Sequence, residues 1–343
     1  MPLRILIVPD KFKGTLSARQ AALAMAMGWR QARPQDEVDL LPMSDGGDGF
    51  GEVLSGLLDA QPHVVETVDA AHRPINAQWT LNLTKHLAIV ESARVVGLAM
   101  LPKGKFHPFQ LDTFGLGKIL RAAGRRGVEK CIIGIGGSAT NDGGFGLARA
   151  LDWKFYSQGG AEIREWWQLH KLAVITRPQE RLNMKVVVAV DVNNPLLGKR
   201  GCSQVYGPQK GLRPEDLPLA EKCLKRLSEV AKESLGVNLA KVSGAGAAGG
   251  LGFGLMAFTD AQCESGFELF SVNSQLEKRI RESDMVITGE GAIDDQTFMG
   301  KGVGRIVELC KKHKVPCLGL AGRIRNPSKA KKFFFGMDAL VED

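Results

Sequence analysis

Short apolar runs alternate along the chain with loops rich in Gly, Asp, Asn and Ser, and most of these loops open into stretches with helical spacing of apolar residues. Residues 3–9 (LRILIVP) read as a first strand, followed by the loop DKFKGT at 10–15 and a helix from 18 to about 32, with Ser17 and Gln20 spaced as a capping box. The same grammar predicts a strand at 38–42 before SDGGDG at 44–49 and a helix to about 58. It predicts another at 130–135 before GGSATNDGG at 136–144 and a helix to 151. Strands at 185–190 and 285–288 lead into DVNNP at 191–195 and GEGAIDDQT at 289–297, and a helix near 302–313 precedes a strand at 316–320. This succession is the pattern of a parallel α/β sheet. Each loop then lies at a strand's carboxyl end, where backbone amides and helix N-termini collect around ligands.

At 343 residues the chain exceeds the usual single-domain range of roughly 100 to 200 residues. The expectation is a discontinuous first domain, 1–75 plus 283–343, with a second α/β domain, 76–282, inserted into it; the polar stretches 70–76 and 278–284 are the candidate boundaries. Hydrophobic residues at 44% and charged residues at 24% are ordinary globular proportions, which leave little room for a long disordered segment. The six cysteines are scattered without a CxxC and the six histidines form no HxxxH or HExxH, so a zinc site and a disulfide framework are disfavoured and reduced cytosolic thiols are expected. No leader pattern opens the chain and no run of eighteen apolar residues occurs, so neither export nor a membrane span is expected. A net charge of +8 is concentrated in the lysines of 311–314 and 329–332, read as solvated; the aromatic run 333–335 after them is read as core, with no accompanying nucleic-acid motif.

GIGGSATNDGG at 134–144 supplies glycines that let backbone approach an anion, the hydroxyls of Ser138 and Thr140, and Asn141 with Asp142 ahead of a helix. It reads as a phosphate or nucleotide loop, with a plain turn and a dinucleotide fingerprint (Gly134, Gly136, Ala139) as the competing readings. SDGGDG offers Asp45 and Asp48 to a substrate or Mg²⁺, or makes an ordinary turn. DKFKGT carries Asp10, Lys11 and Lys13, and lysines there can neutralise a carboxylate or a phosphate in transit. DVNNP ends a very apolar strand with Asp191, Asn193 and Asn194, which suits a base or ligand cluster as well as an Asx turn. GPQKG sets Lys210 between glycines, and GAGAAGG at 244–250 contains a literal GxGxxG that follows no strand and so fails its context. TGEGAIDDQT brings Glu290, Asp294 and Asp295 to a strand's mouth, with Lys301 just before a helix. GxxxxGK[ST] occurs nowhere, which disfavours a Walker-type ATPase.

Taken in order, PDKFKGTLSA, LLPMSDGGDG, LDTFGLGKIL, IIGIGGSATNDGG, DVNNPLLG, GPQKG, GAGAAGGLG and VITGEGAIDDQT resemble the glycerate kinase family, in its bacterial glycerate 2-kinase branch, over nearly the whole chain. The resemblance implies two α/β domains around a cleft, the first doubly wound and parallel (Rossmann- or flavodoxin-like) with the second inserted. It implies transfer of the γ-phosphoryl of ATP, with Mg²⁺, to D-glycerate, giving 2-phosphoglycerate. Matched position by position, it places the nucleotide at Gly136, Gly137, Ser138, Asn141 and Asp142, and substrate at Asp10, Asp45, Asn193 and Lys210. Asp191 is then the catalytic base, Lys13 and Lys301 act on the transferring phosphoryl, and Asp45, Glu290 and Asp294 meet the metal. The implied partners are small molecules, without nucleic acid or membrane, in a cytoplasmic enzyme for which a homo-oligomer stays open.

The chain departs from the family pattern at Lys11, at Leu116 and Lys118, and in RIRNPSKAKK at 323–332. Relatives continue past the last strand into a closing helix where this chain stops at Asp343; the expectation is that part of the first domain's covering is either absent or supplied by a partner chain, with reduced stability or activity left open. Three readings compete with the kinase of glycerate: a kinase of another hydroxy acid, a catalytically silent nucleotide-binding regulator, and a dinucleotide-dependent dehydrogenase.

Overall fold

The computed structural model describes residues 1–341 apart from 45, 48, 296, 298–301 and 326, and the backbone alone of 329. Its strands, in chain order, are β1 (Arg4–Pro9), β2 (Glu37–Leu40), β3 (Gln61–Val68), β4 (Pro74–Asn82), β5 (Leu87–Glu91), β6 (Lys130–Gly134), β7 (Lys154–Ser157), β8 (Leu172–Thr176), β9 (Lys185–Ala189), β10 (Gln262–Glu264), β11 (Met285–Ile293), β12 (Cys317–Ile324) and β13 (Gly336–Ala339). They fall into two compact units: Met1–Asp45, Glu52–Leu57 and Gly266–Asp343 form the first, Gly46–Gly51 and Leu58–Ser265 the second.

The first unit holds a five-stranded sheet in the order β13-β12-β11-β1-β2, every neighbouring pair parallel. The chain winds from β1 outward to β2, then returns to the other side of β1 for β11, β12 and β13, the doubly wound flavodoxin-like order. Its switch point lies between β1 and β11. Central position explains β1: flanked on both sides and covered on both faces, it is apolar from Ile5 to Val8, each residue at most 1% exposed. The helix Ala18–Ala32 starts at Ser17, whose hydroxyl accepts from Gln20 N while the Gln20 side chain accepts from Ser17 N. It buries Ala18, Ala21, Ala22 and Ala26, small side chains on one helical face that let the helix lie close to Ile5, Ile7 and Ile287.

The second unit is built on a six-stranded sheet in the order β10-β9-β6-β5-β4-β3. β10, β9, β6 and β5 run parallel, while β4 and β3 are antiparallel additions. The three inner parallel strands are buried almost throughout, and Trp153, Phe155, Trp166 and Phe258 enlarge the core around them. β7 and β8 form a separate two-stranded antiparallel sheet.

These limits differ from the expected boundaries at 75/76 and 282/283. Residues 70–76 hold no linker: they contain the β3–β4 turn, where buried Asp69 accepts from the backbone N–H of Ala71 and Arg73 and from Arg73 Nε. That turn chemistry reads as a polar linker in one dimension. Similarly 266–282 folds with the first unit, because Phe267, Phe270, Leu276 and Ile280 pack in its core. The aromatic run is core only in part: Phe334 is buried, whereas Phe335 is 75% exposed, since neighbouring residues cannot share one face. All six cysteines are free.

Candidate active site

The polar groups predicted for function fall into one set in each unit. In the first unit they gather at the β1/β11 switch point. Asp10 follows β1 directly; its backbone N–H donates to Gly289 O at 2.8 Å and its Oδ1 accepts from Lys11 N at 2.7 Å. Lys13 is exposed on the next turn. Residues 289–293, expected as loop, continue β11, because β12 offers register partners as far as Ile293↔Ile324. Glu290 is therefore held on a strand, and its Oε1 accepts from Thr297 Oγ1 at 2.6 Å. The same hydroxyl accepts from Asp294 N at 3.2 Å. Thr297 thus ties the two acidic residues into one turn. Asp45 and Lys301 lie outside the described residues, and among those described no three His, Cys, Asp or Glu converge as a metal cluster.

In the second unit three segments meet at the carboxyl ends of β6 and β9. Gly134 and Ala189 are register partners, so the glycine-rich segment and DVNNP leave the sheet side by side. The segment 46–51 crosses above them. Gly46 O accepts from Gly136 N at 3.4 Å, a Cβ on Gly136 would stand 2.7 Å from Gly47 Cα, and one on Gly134 would meet the Phe50 ring at 2.5 Å. Glycine is required there by close approach.

Gly137 is exposed at the tip of this loop with φ +75°, beside half-buried Gly136. Ser138 Oγ lies 2.8 Å from Thr140 Oγ1. From Ser138 onward the segment is buried. Asn141 is fully buried, donating from Nδ2 to Ser203 Oγ at 2.9 Å while its Oδ1 has no partner. Asp142, equally buried, accepts from Thr113 N, Thr113 Oγ1 and Gly146 N at 3.0, 2.7 and 2.9 Å. Burial, and then nearby Asp112, push its pKa up to about 6. Asn141 and Asp142, expected at the nucleotide, therefore fasten the loop from inside. The geometry of the competing dinucleotide reading is absent, since the next helix, Phe145–Ala150, begins only after this buried stretch.

Lys210 closes the helix Cys202–Lys210 and is 6% exposed, so it does not stand in a glycine loop open to substrate. Its ammonium donates to Thr140 O at 2.6 Å, and burial lowers its pKa to about 8. GAGAAGG opens the helix Ala247–Thr259, with Ala248, Gly249 and Gly250 all left-handed. Asp191 Oδ1 accepts from Ser265 Oγ at 2.6 Å, and Asn193 Oδ1 from Ser243 Oγ at 2.7 Å.

The family follows from the chain's likeness to known proteins. The glycerate kinase family model matches residues 5–342. The chain belongs to the glycerate kinase family. Family membership makes it a kinase, an enzyme of phosphoryl transfer. It is 37% identical over 342 residues to the glycerate kinase of Halalkalibacterium halodurans, covering 98% of this chain and 89% of that protein. It is 36% identical over 327 residues to the glycerate 2-kinase of Escherichia coli K12, covering 94% and 86%. A solved structure assigned as a glycerate kinase 2 from Salmonella typhimurium LT2 superposes with a TM-score of 0.85 at 34% identity, covering 99% of this chain and 90% of that one.

Two side chains that anchor these segments escaped sequence reasoning. Glu91, at the end of β5, accepts from Gly49 N at 3.0 Å and Gly51 N at 3.1 Å and so anchors the 46–51 segment. A carboxylate ending an apolar strand was the available signal, the same one that marks Asp191. Thr113 carried no signal, since its link to Asp142 spans 29 positions.

Proposed function

We propose that this chain transfers the γ-phosphoryl group of ATP to the 2-hydroxyl of D-glycerate. The observation that carries the reading is the Gly134↔Ala189 register, which sets Asp191 two residues beyond β9 and next to the glycine-rich loop. Phosphoryl transfer needs a group to take the acceptor's proton beside a cradle for the phosphates, and little covalent chemistry besides. Gly136, Gly137 and Ser138 form the cradle. Asp191 takes the hydroxyl proton, its Oδ1 held by Ser265 and its carboxylate thereby aimed. Ser243 occupies the Asn193 Oδ1, which turns the Asn193 amide N–H groups to donor use on a glycerate oxygen.

In the first unit, Asp10 and Lys13 follow β1, and Glu290 on β11 with Asp294 in the turn after it offers carboxylates of its own. Two hard carboxylates suit Mg²⁺, which takes one or two protein carboxylates and completes its shell with water and phosphate oxygens. Glu290 and Asp294 would hold it, and when bound it neutralises phosphate charge. Asp45 and Lys301 keep their expected parts as metal or substrate ligand and as phosphoryl contact. Six free thiols, and helices none of which is long and apolar enough to cross a membrane among the described residues, support a cytoplasmic enzyme. A homo-oligomer fits this reading equally.

The test is ADP release by the purified protein with ATP and Mg²⁺, comparing D-glycerate, L-glycerate, other hydroxy acids and no acceptor, with the product isomer identified by ³¹P NMR. D-glycerate-dependent ADP and a 2-phosphorylated product are expected. A 3-phosphorylated product, preference for another acid, or acceptor-independent turnover would overturn the reading.

A further inference from the structure

We propose that Lys210 is a positioning residue for the nucleotide: from the interior of the second unit its ammonium holds the main chain of the glycine-rich loop, at Thr140, in the shape that receives the phosphates of ATP. The proposal rests on the reading of that loop as the phosphate cradle.

The helix Cys202–Lys210 grips consecutive loop residues from its two ends. Near its start Ser203 Oγ accepts from Asn141 Nδ2 at 2.9 Å, and at its last residue Lys210 Nζ donates to Thr140 O at 2.6 Å. Gly211 terminates the helix with φ +102°, which sets Lys210 at the helix end. A third element fits around the bond. A Cβ on Gly249 would lie 1.9 Å from Thr140 O and 2.8 Å from Lys210 Nζ, and Gly249 O accepts from Gly143 N at 3.1 Å. The left-handed turn at 248–250 therefore leaves room for the ammonium and its carbonyl, which gives GAGAAGG a task unrelated to dinucleotides.

An ammonium has three donors, and the described side chains and backbone supply Lys210 with one acceptor. A buried charge so lightly compensated is costly in an apolar core. It becomes favourable behind a loop that carries a polyanion, because low dielectric extends its field to the phosphates without contact. Cys202 and Asp142 face the same ammonium; the Cys202 thiol is pushed up to about 12 by burial, which leaves Asp142 as the neighbouring acidic group. Lys210 thus acts through Thr140 and through its field.

Steady-state kinetics of the full chain test this, with MgATP and D-glycerate varied separately for the wild type, Lys210→Met, Ser203→Ala and Ser138→Ala, and circular dichroism to verify folding. Lys210→Met is expected to raise KM for ATP by about 10- to 100-fold, the range for a hydrogen bond to a charged group, with KM for D-glycerate within twofold. Ser203→Ala, which removes the second tie and keeps the charge, is expected to raise KM for ATP by less; it decides the matter if Lys210→Met does not fold. A rise confined to D-glycerate, equal rises for both substrates, or no change for ATP in the folded variants overturns the proposal. Ser138→Ala separates the two ideas: if it raises KM for ATP while Lys210→Met does not, the cradle stands and the role of Lys210 fails; if it leaves KM for ATP unchanged, both fail.

Discussion

Lys210 Nζ reaches the carbonyl oxygen of Thr140 at 2.6 Å across seventy positions of sequence, with the whole residue 6% exposed. Burial lowers its pKa from 10.5 to about 8, a difference on the order of 3 kcal/mol. Below about pH 8 both folded and unfolded chains carry the charge and the folded state bears the full penalty. Between about pH 8 and 10.5 the unfolded chain keeps a proton that the folded one has lost, so this group makes folding more favourable as pH rises. Denaturant unfolding at pH 7.5 and 10 is expected to show that gain in the wild type relative to Lys210→Met; parallel curves would refute the assignment.

Asp191→Asn removes the base while keeping shape and the Ser265 bond. The expected outcome is a fall in kcat of roughly 10²- to 10⁴-fold with KM for ATP little changed, read by initial-rate kinetics. A loss confined to KM for D-glycerate would make Asp191 a binding group instead.

Glu91→Ala leaves the N–H groups of Gly49 and Gly51 without the carboxylate that receives them. A cost of about 1 to 3 kcal/mol is expected, seen as a lowered thermal midpoint. Amide exchange at Gly49 should accelerate in step, because the 46–51 segment loses its anchor.

Asp36 gathers the first unit's edge: it accepts from Arg33 Nε at 2.6 Å, Trp29 Nε1 at 3.0 Å and Leu3 N at 3.0 Å. The Arg33 hydrogen bond foremost, then that of Leu3, holds its pKa down to about 2. A carboxylate depressed in the folded state contributes stability that is complete above its unfolded value near 3.8 and is lost as pH falls through about 2. Asp36→Asn should therefore be less stable than wild type at pH 7 and converge with it on acidification, measured by urea unfolding at pH 7, 4 and 2.5.

Local pattern was a good guide wherever one element explains itself. The helix Ala18–Ala32 and its Ser17/Gln20 capping box are both legible in the sequence, because capping and face periodicity are interactions within four residues. The helix Gly302–His313 is legible for the same reason. The length of β11 was not. Residues 289–293 (GEGAI), with two glycines and one carboxylate, look like a loop, yet pairing with β12 makes them strand. The β3–β4 turn was mistaken for a boundary because Asp69 serves it through local hydrogen bonds that composition alone cannot distinguish from a linker.

The candidate site divides the same way. Its residue types and family were readable from the chain, since phosphoryl transfer selects glycines, hydroxyls, lysines and carboxylates in short strings whose order survives divergence. Which of those residues are exposed and which are buried was not readable. Asn141 and Asp142 look like loop ligands and are fully buried fasteners; Lys210 looks like an exposed lysine between glycines and is an interior charge. Local sequence determined the elements, their caps and the chemistry available at strand ends. Tertiary structure alone decided exposure, pairing and pKa, because burial and long-range hydrogen bonds depend on which distant segments occupy the space around a side chain, and Thr113, Ser203 and Gly249 come from three separate segments.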